Sequence, residues 1–371
     1  MPVHRIDIEA ALRRLDTFDA VVDARSPAEF ALDALPGAAN WPTLDDEERR
    51  LVGTEYKQIS AFEARKRGAV LAARNIARHL ERETPGLPKS WQPLVYCWRG
   101  GQRSGSLALV LGQVGFDVHV LEGGYREFRR RVVADLERAG AGLPLRVLCG
   151  PTGSGKSRLL GALQACGAQV LDLEALASHR GSVLGALPDA PQPSQKHFET
   201  RLWQQLRALD AAHPVFVESE SRTIGRLRVP EALLGLMRAA PCLRVQMPDE
   251  ARVALLLEDY AHYARDPALL ARQLDTLREA RGHALVEGWQ AGLAGGRVRE
   301  VVQALLAEHY DPIYLRSMSR NYGGFDAAPT LALADGSVAS MQRAAAQALA
   351  LAPAHELAAG EAAAAPRPDP A

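Results

Sequence analysis

One cysteine in this chain sits where a nucleophile would. Cys97 closes the apolar run PLVYC and is followed by Trp98, Arg99, Gly100, Gly101, Gln102 and Arg103, before a helical pattern opens at Ser104. A tight loop between a strand and a helix can turn several backbone N–H groups toward one centre, with a helix N-terminus behind them. Gly100 and Gly101 permit the backbone conformations such an anion cradle needs, and Arg99 and Arg103 add positive charge. That setting favours an anion on the sulfur, as a nucleophilic or chalcogen-carrying cysteine requires. Cys149, Cys166 and Cys242 read instead as small apolar core residues. The four cysteines show no CxxC pair and no disulfide-framework spacing, which fits a reducing cytoplasm.

A second chemical signature begins at Gly150. The segment GPTGSGKS contains the full G-x-x-x-x-G-K-S pattern between an apolar strand and a helix. In that context the backbone around Gly150, Gly153, Ser154 and Gly155 wraps phosphate, Lys156 meets the terminal phosphate and Ser157 meets Mg2+. A second metal ligand is expected from the next acidic strand ends, Asp172 in VLDLE or Glu218 in VFVESE. No NKxD-type guanine signal is present, so a GTPase is not expected. ATP, or any diphosphate compound with Mg2+, suits the same cradle.

Both loops need strands and helices to hold them. Through residue 138 the pattern alternates: a strand at Ala20–Arg25, a helix from Ser26-Pro27, a helical region over 45–82, a strand at Pro93–Cys97, a helix over 104–114, a strand at 118–124 and a helix over 125–138. Such alternation predicts an α/β fold with a parallel sheet covered on both faces. The opening MPVHRIDIEAALRRL reads as an amphipathic helix. AGAGLP, residues 139–144, is the linker, being small and turn-forming. Alternation resumes in LRVLCG, QVLDLE, PVFVESE and LRVQMP, and a helix-rich stretch follows over 249–317. This places a P-loop domain with a helical C-terminal part over 145–350. Residues 351–371, mostly alanine, proline and glutamate, read as a disordered tail.

Charge neither announces nor excludes a nucleic-acid partner. Lysine plus arginine equal aspartate plus glutamate, 44 against 44, so any RNA contact must rest on a local basic face. Arg74, Arg78 and Arg82 recur at i, i+4 and form one stripe on a helix, the candidate RNA contact. Arg126, Arg129, Arg130 and Arg131 form a second cluster. No run of 18 apolar residues suggests a membrane span, and the start lacks the apolar stretch of a signal peptide.

Residues 20–130 resemble a rhodanese domain, on DARSPAEF, LPGAANWP, CWRGGQRS and LEGGYREF. The resemblance implies that Cys97 carries a transferable chalcogen, that residues 98–103 cradle it, and that Asp23 and Arg25 are structural. The rhodanese-like part fused to the P-loop, with VGTEYKQISAFEARKRGA, DLEALASHRGSVLG, QPSQKHFE, VFVESESRTIG and HYDPIYLRS, is similar over residues 5–325 to the bacterial tRNA 2-selenouridine synthase family. That resemblance implies a transferase acting on wobble 2-thiouridine of certain tRNAs. It implies S-geranylation from geranyl diphosphate, then selenium transfer from selenophosphate. A selenophosphate-producing enzyme is the implied supplier. A general rhodanese-type sulfurtransferase with an ATP-dependent regulatory P-loop domain is the alternative.

Overall fold

The computed structural model describes residues 3–182 and 184–352. Among these residues twelve strands run in chain order, beginning with β1 (His4–Ile6), β2 (Ala20–Asp23), β3 (Ala38–Asn40), β4 (Pro93–Tyr96), β5 (His119–Leu121) and β6 (Leu145–Cys149). They continue as β7 (Gln169–Leu171), β8 (Val215–Glu218), β9 (Thr223–Ile224), β10 (Leu227–Arg228), β11 (Cys242–Gln246) and β12 (Thr330–Ala332). The chain divides into two compact units. One holds Met1–Ala139, Glu174–Arg207 and Ser221–Leu233; the other holds Gly140–Leu173, Ala208–Glu220 and Leu234–Ala371.

The first unit is built on a five-stranded sheet in the order β1-β5-β4-β2-β3, parallel throughout. Its central strand, β4, is PLVY with every residue buried, as a strand covered on both faces must be. A buried ionic knot sits at the end of β2. Arg25 pairs with Asp23 at 2.6 Å, donates to the Asp33 carbonyl and lies 4.0 Å from the Tyr125 ring centroid. Asp33 Oδ2 in turn accepts from the Tyr125 hydroxyl at 2.8 Å and from Thr200 Oγ1 at 3.0 Å. Thr200 belongs to the helix Gln195–Arg207, whose Trp203 Nε1 donates to Asp135 at 2.7 Å. This helix lies between β7 and β8 in sequence yet belongs to the first unit.

The expected helical region over 45–82 is two helices, Asp46–Gln58 and Ala61–Glu83. They separate because Ser60 starts the second one: its hydroxyl accepts from the backbone N–H groups of Phe62 and Glu63. The chain start also differs from expectation. His4–Ile6 is an edge strand pairing with β5, and helix begins only at Ile8, capped by Asp7.

The second unit has its own parallel five-stranded sheet, ordered β12-β11-β6-β8-β7. Its core packs the helices Lys156–Ala165 and Val338–Ala350 against the sheet through Leu159, Leu163, Phe216, Val245, Leu331 and Ala345. Cys166, expected in the core, is exposed at the end of the first of these helices. Beyond Ala352 the expected tail lies outside the described residues. None of the described helices is long and apolar enough to cross a membrane.

Candidate functional site

Each sheet carries a glycine-rich loop at the carboxyl end of its middle strand, where open α/β sheets bind ligands. In the first unit, β4 ends at Tyr96 and Cys97 begins the loop, with its side chain buried. The helix Gln102–Val114 starts immediately behind, with Gly101 at its N-cap. Ser104, in the first turn of that helix and fully buried, donates its hydroxyl to Cys97 Sγ at 3.1 Å. By its position Ser104 reads only as a helix opener; its seven-residue offset from Cys97 becomes a contact only when the loop closes.

The loop is clamped from the β5 side. Tyr125 N donates to the Cys97 carbonyl at 2.8 Å, and Arg126 N donates to the Trp98 carbonyl at 3.1 Å. This close approach explains the double glycine of LEGGYREF. Gly124 has φ +59°, and a Cβ there would collide with the Cys97 carbonyl oxygen and the Gly100 nitrogen. Gly100 is similarly confined, at φ +64° with the Leu121 carbonyl 2.7 Å from where a Cβ would stand. Two backbones thus pack in direct contact and hold the loop in one shape.

The two arginines of the loop have different surroundings. Arg103 is held by Glu29 at 2.6 Å, and Arg49 binds the same carboxylate at 2.8 Å. Burial pushes the Glu29 carboxyl up, but the hydrogen bonds and charges of Arg103 and then Arg49 outweigh it and bring it down to about 2. Arg103 is therefore committed to bracing the loop. Arg99 is exposed and makes no ion pair among the described residues, and Gln102 is exposed too. Trp98 lies 5.4 Å from Tyr125, between ring centroids, and helps line a recess of about 470 Å³ with Arg126, Arg129, Arg130 and Lys196. Arg74, Arg78 and Arg82 are all exposed along the helix Ala61–Glu83, so their stripe faces solvent.

In the second unit, β6 runs into Gly150–Gly155, and the helix Lys156–Ala165 starts behind it. Gly153 and Gly155 have φ of +76° and +86°, the left-handed conformations that let successive N–H groups converge. Lys156 Nζ donates to the Gly150 carbonyl at 2.5 Å. Ser157 Oγ donates to Glu218 Oε2 at 3.2 Å. Glu218 ends β8, which neighbours β6, whereas Asp172 follows β7 at the sheet edge, one strand farther out. A hydroxyl and a buried carboxylate side by side are hard oxygen donors of the kind Mg2+ takes, so Ser157 and Glu218 fit the ion.

Two residues braced against this loop were not singled out from sequence. Arg252, buried, donates to the Thr152 carbonyl at 2.8 Å and pairs with Asp311 at 2.6 Å. Lys156 Nζ lies 5.8 Å from the Tyr314 ring centroid. Asp311 and Tyr314 both come from HYDPIYLRS, which gives that phrase a physical role: it supports the phosphate loop from a helix more than 150 positions away.

Residues 7–131 match the rhodanese-like domain family, and residues 143–276 match the family described as the tRNA 2-selenouridine synthase AAA domain. A tRNA 2-selenouridine synthase of Nitrosomonas europaea is 32% identical over 361 residues, covering 85% of this chain and 92% of its own. One from Alcanivorax borkumensis is 36% identical over 335 residues, covering 82% of this chain and 90% of its own. A third, from a Sulfurovum species, is 32% identical over 330 residues, with 81% and 89% covered.

Proposed function

Since the chain belongs to the tRNA 2-selenouridine synthase family, we propose that it replaces the sulfur of wobble 2-thiouridine in tRNA by selenium in two steps. The observation that carries this reading is the presence, in one chain, of a cysteine with a hydroxyl donor on its sulfur and a phosphate loop with a Ser157–Glu218 pair.

In the first step the thiocarbonyl sulfur attacks C1 of geranyl diphosphate. A C–S bond forms, the C–O bond breaks, diphosphate leaves with the electron pair, and the N3 proton of the base is released to solvent. The loop amides of Gly150–Gly155 and the Lys156 ammonium stabilise that developing charge where it appears, and preorganised donors of this kind are worth about 10²–10³ in rate each. Mg2+, held by Ser157 and Glu218, would neutralise part of the leaving group's charge.

In the second step selenium from selenophosphate enters at C2 of the base. A C–Se bond forms, the C–S bond breaks, and geranylthiolate departs with the electron pair; water then cleaves the Se–P bond, releasing phosphate and leaving selenium on the base. Cys97 handles the selenium, and the Ser104 hydroxyl and the loop N–H groups stabilise negative charge on the chalcogen. Arg99 and the Arg74–Arg78–Arg82 stripe are the proposed phosphate contacts for tRNA, and a selenophosphate-producing enzyme is the proposed supplier.

Mass spectrometry of tRNA nucleosides tests the product: cells lacking the protein should lose 2-selenouridine. Lys156→Ala should abolish geranylation by the purified protein. Geranylation that survived Lys156→Ala while selenation was lost would overturn the division of labour. Robust ATP turnover stimulated by sulfur donors would favour the regulated sulfurtransferase.

A further inference from the structure

Beside the phosphate loop of the second unit lies a cavity of about 570 Å³, within the range that takes small organic ligands. It opens at Gly150 and Pro151, the first residues of the loop, and runs along the carboxyl end of β11. Its walls are largely apolar: Val245, Met247, Tyr314, Leu315, Phe325 and Leu333. Arg244 also lines it, donating to Thr330 Oγ1 at 3.1 Å with its guanidinium carbon 6.0 Å from the Phe325 ring centroid.

The polar and apolar halves are continuous. Tyr314 is a wall of the cavity and also the ring over which Lys156 Nζ lies. Ser154, fully buried in the loop, has an Oγ with no hydrogen-bond partner among the described residues. That oxygen stands against Gly150, at the cavity mouth, where a Cβ would collide with it. A ligand filling both halves must be an amphiphile, with an anionic phosphate head at the loop and a hydrocarbon tail in the cavity. A nucleoside would instead set polar ring edges and ribose hydroxyls against Val245, Met247 and Leu333, leaving them without partners.

We propose that this cavity is the binding site for the hydrocarbon tail of an isoprenoid diphosphate, and that Tyr314, Leu315, Phe325 and Ala332 set the tail length the protein accepts. The inference rests on the assignment of the phosphate loop to geranyl diphosphate. Each methylene moved from water into an apolar site strengthens binding about fourfold. Incomplete fit reduces that gain, so the five extra carbons of a geranyl over a dimethylallyl chain should be worth about 100-fold.

Ala332 and Leu315 make usable probes because both are exposed residues of the cavity wall, so changing them leaves the core intact. Binding is measured by calorimetry on the full chain with Mg2+, using geranyl diphosphate, dimethylallyl diphosphate, inorganic diphosphate and ATP. The expected result is that Ala332→Phe and Leu315→Glu each weaken geranyl diphosphate about tenfold or more, with inorganic diphosphate held within about twofold. If both variants leave geranyl diphosphate unchanged while Lys156→Ala abolishes it, the tail lies elsewhere: this inference fails and the assignment of the loop stands. Parallel weakening of both ligands would likewise place the effect on the loop and overturn the tail site. If the unaltered protein binds ATP and not geranyl diphosphate, the assignment itself fails and the tail site with it.

Discussion

The two sheets end their middle strands in almost the same way. In each, a cysteine closes the apolar run and a glycine-rich loop leads into a helix: Cys97 before WRGGQRS, Cys149 before GPTGSGKS. Yet the two thiols live in different surroundings. Cys97 Sγ receives the Ser104 hydroxyl from the helix behind the loop. Cys149 is buried beside Cys242 of the neighbouring strand, and a hydrogen bond with that thiol, followed by burial, pushes it well above the usual cysteine range. In the proposed reaction one loop keeps its cysteine as the working group, whereas the other uses its cysteine as packing and places its chemistry at Lys156 and Ser157, farther along. A strand-end cysteine before a glycine loop therefore says little alone; the groups packed around each sulfur distinguish the two.

The largest expected difference between the two comes from exchanging them. Cys97→Ser should abolish selenouridine formation, whereas Cys149→Ser should leave it within about threefold, since a neutral buried thiol contributes packing only; nucleoside mass spectrometry on tRNA treated with each variant decides. Next comes Lys156→Ala, which should slow geranylation about 100-fold or more and leave alkylation of Cys97 by iodoacetamide unchanged.

The clamp on the first loop predicts a stability effect. Gly124→Ala forces a Cβ into the Cys97 carbonyl at a positive φ, and should cost about 2–4 kcal/mol in denaturant unfolding. Gly142→Ala makes the control: φ is +80° but no atom stands within 4 Å, so only the conformational cost of about 1–2 kcal/mol remains. Equal losses would show that backbone contact is not what shapes the cysteine loop.

Two smaller effects concern charge. Glu29 sits near 2 in the folded protein against about 4.3 when unfolded. Its contribution is fully present above the unfolded value and is lost as pH falls toward 2. Allowing for solvent screening, it amounts to about 1–2 kcal/mol, and Glu29→Gln should flatten the stability profile between about pH 4.5 and 2. Finally, Ser104→Ala removes one hydrogen bond to sulfur, worth about 1 kcal/mol. It should slow iodoacetamide capture of Cys97 near neutral pH by several-fold, and an unchanged rate would refute the donor role.

Some of this was legible before any fold was known. Gly150–Ser157 and Cys97–Arg103 are contiguous, so their backbone chemistry follows from spacing and glycine content alone. The longer strands were legible for the same reason: VV (21–22), LVY (94–96), VLC (147–149) and VFV (215–217) are consecutive apolar residues. The three-residue strands β1, β3 and β12 were not, because their pairing comes from neighbours remote in sequence and no local pattern marks them. The break at Ile59–Ser60 was hidden by apolar periodicity that continues through it. Cys166 was misplaced because its flanking residues are apolar while its own position caps a helix at the surface.

The amino-acid sequence by itself determined that this chain has two glycine-rich loops, each between a strand and a helix, and that one begins with a cysteine and the other carries a lysine and a serine. Tertiary structure decided which side chains those groups meet. Ser104 on Cys97, Glu29 on Arg103, Glu218 on Ser157 and Asp311 through Arg252 on Thr152 are contacts between residues from 7 to 100 positions apart. The glycine content of each loop is written in consecutive residues, while the shape of the cysteine loop also rests on the remote backbone of Gly124 packed against it. Proton affinity, bracing and the apolar wall beside a phosphate loop arise from groups that only chain folding brings within a few ångströms.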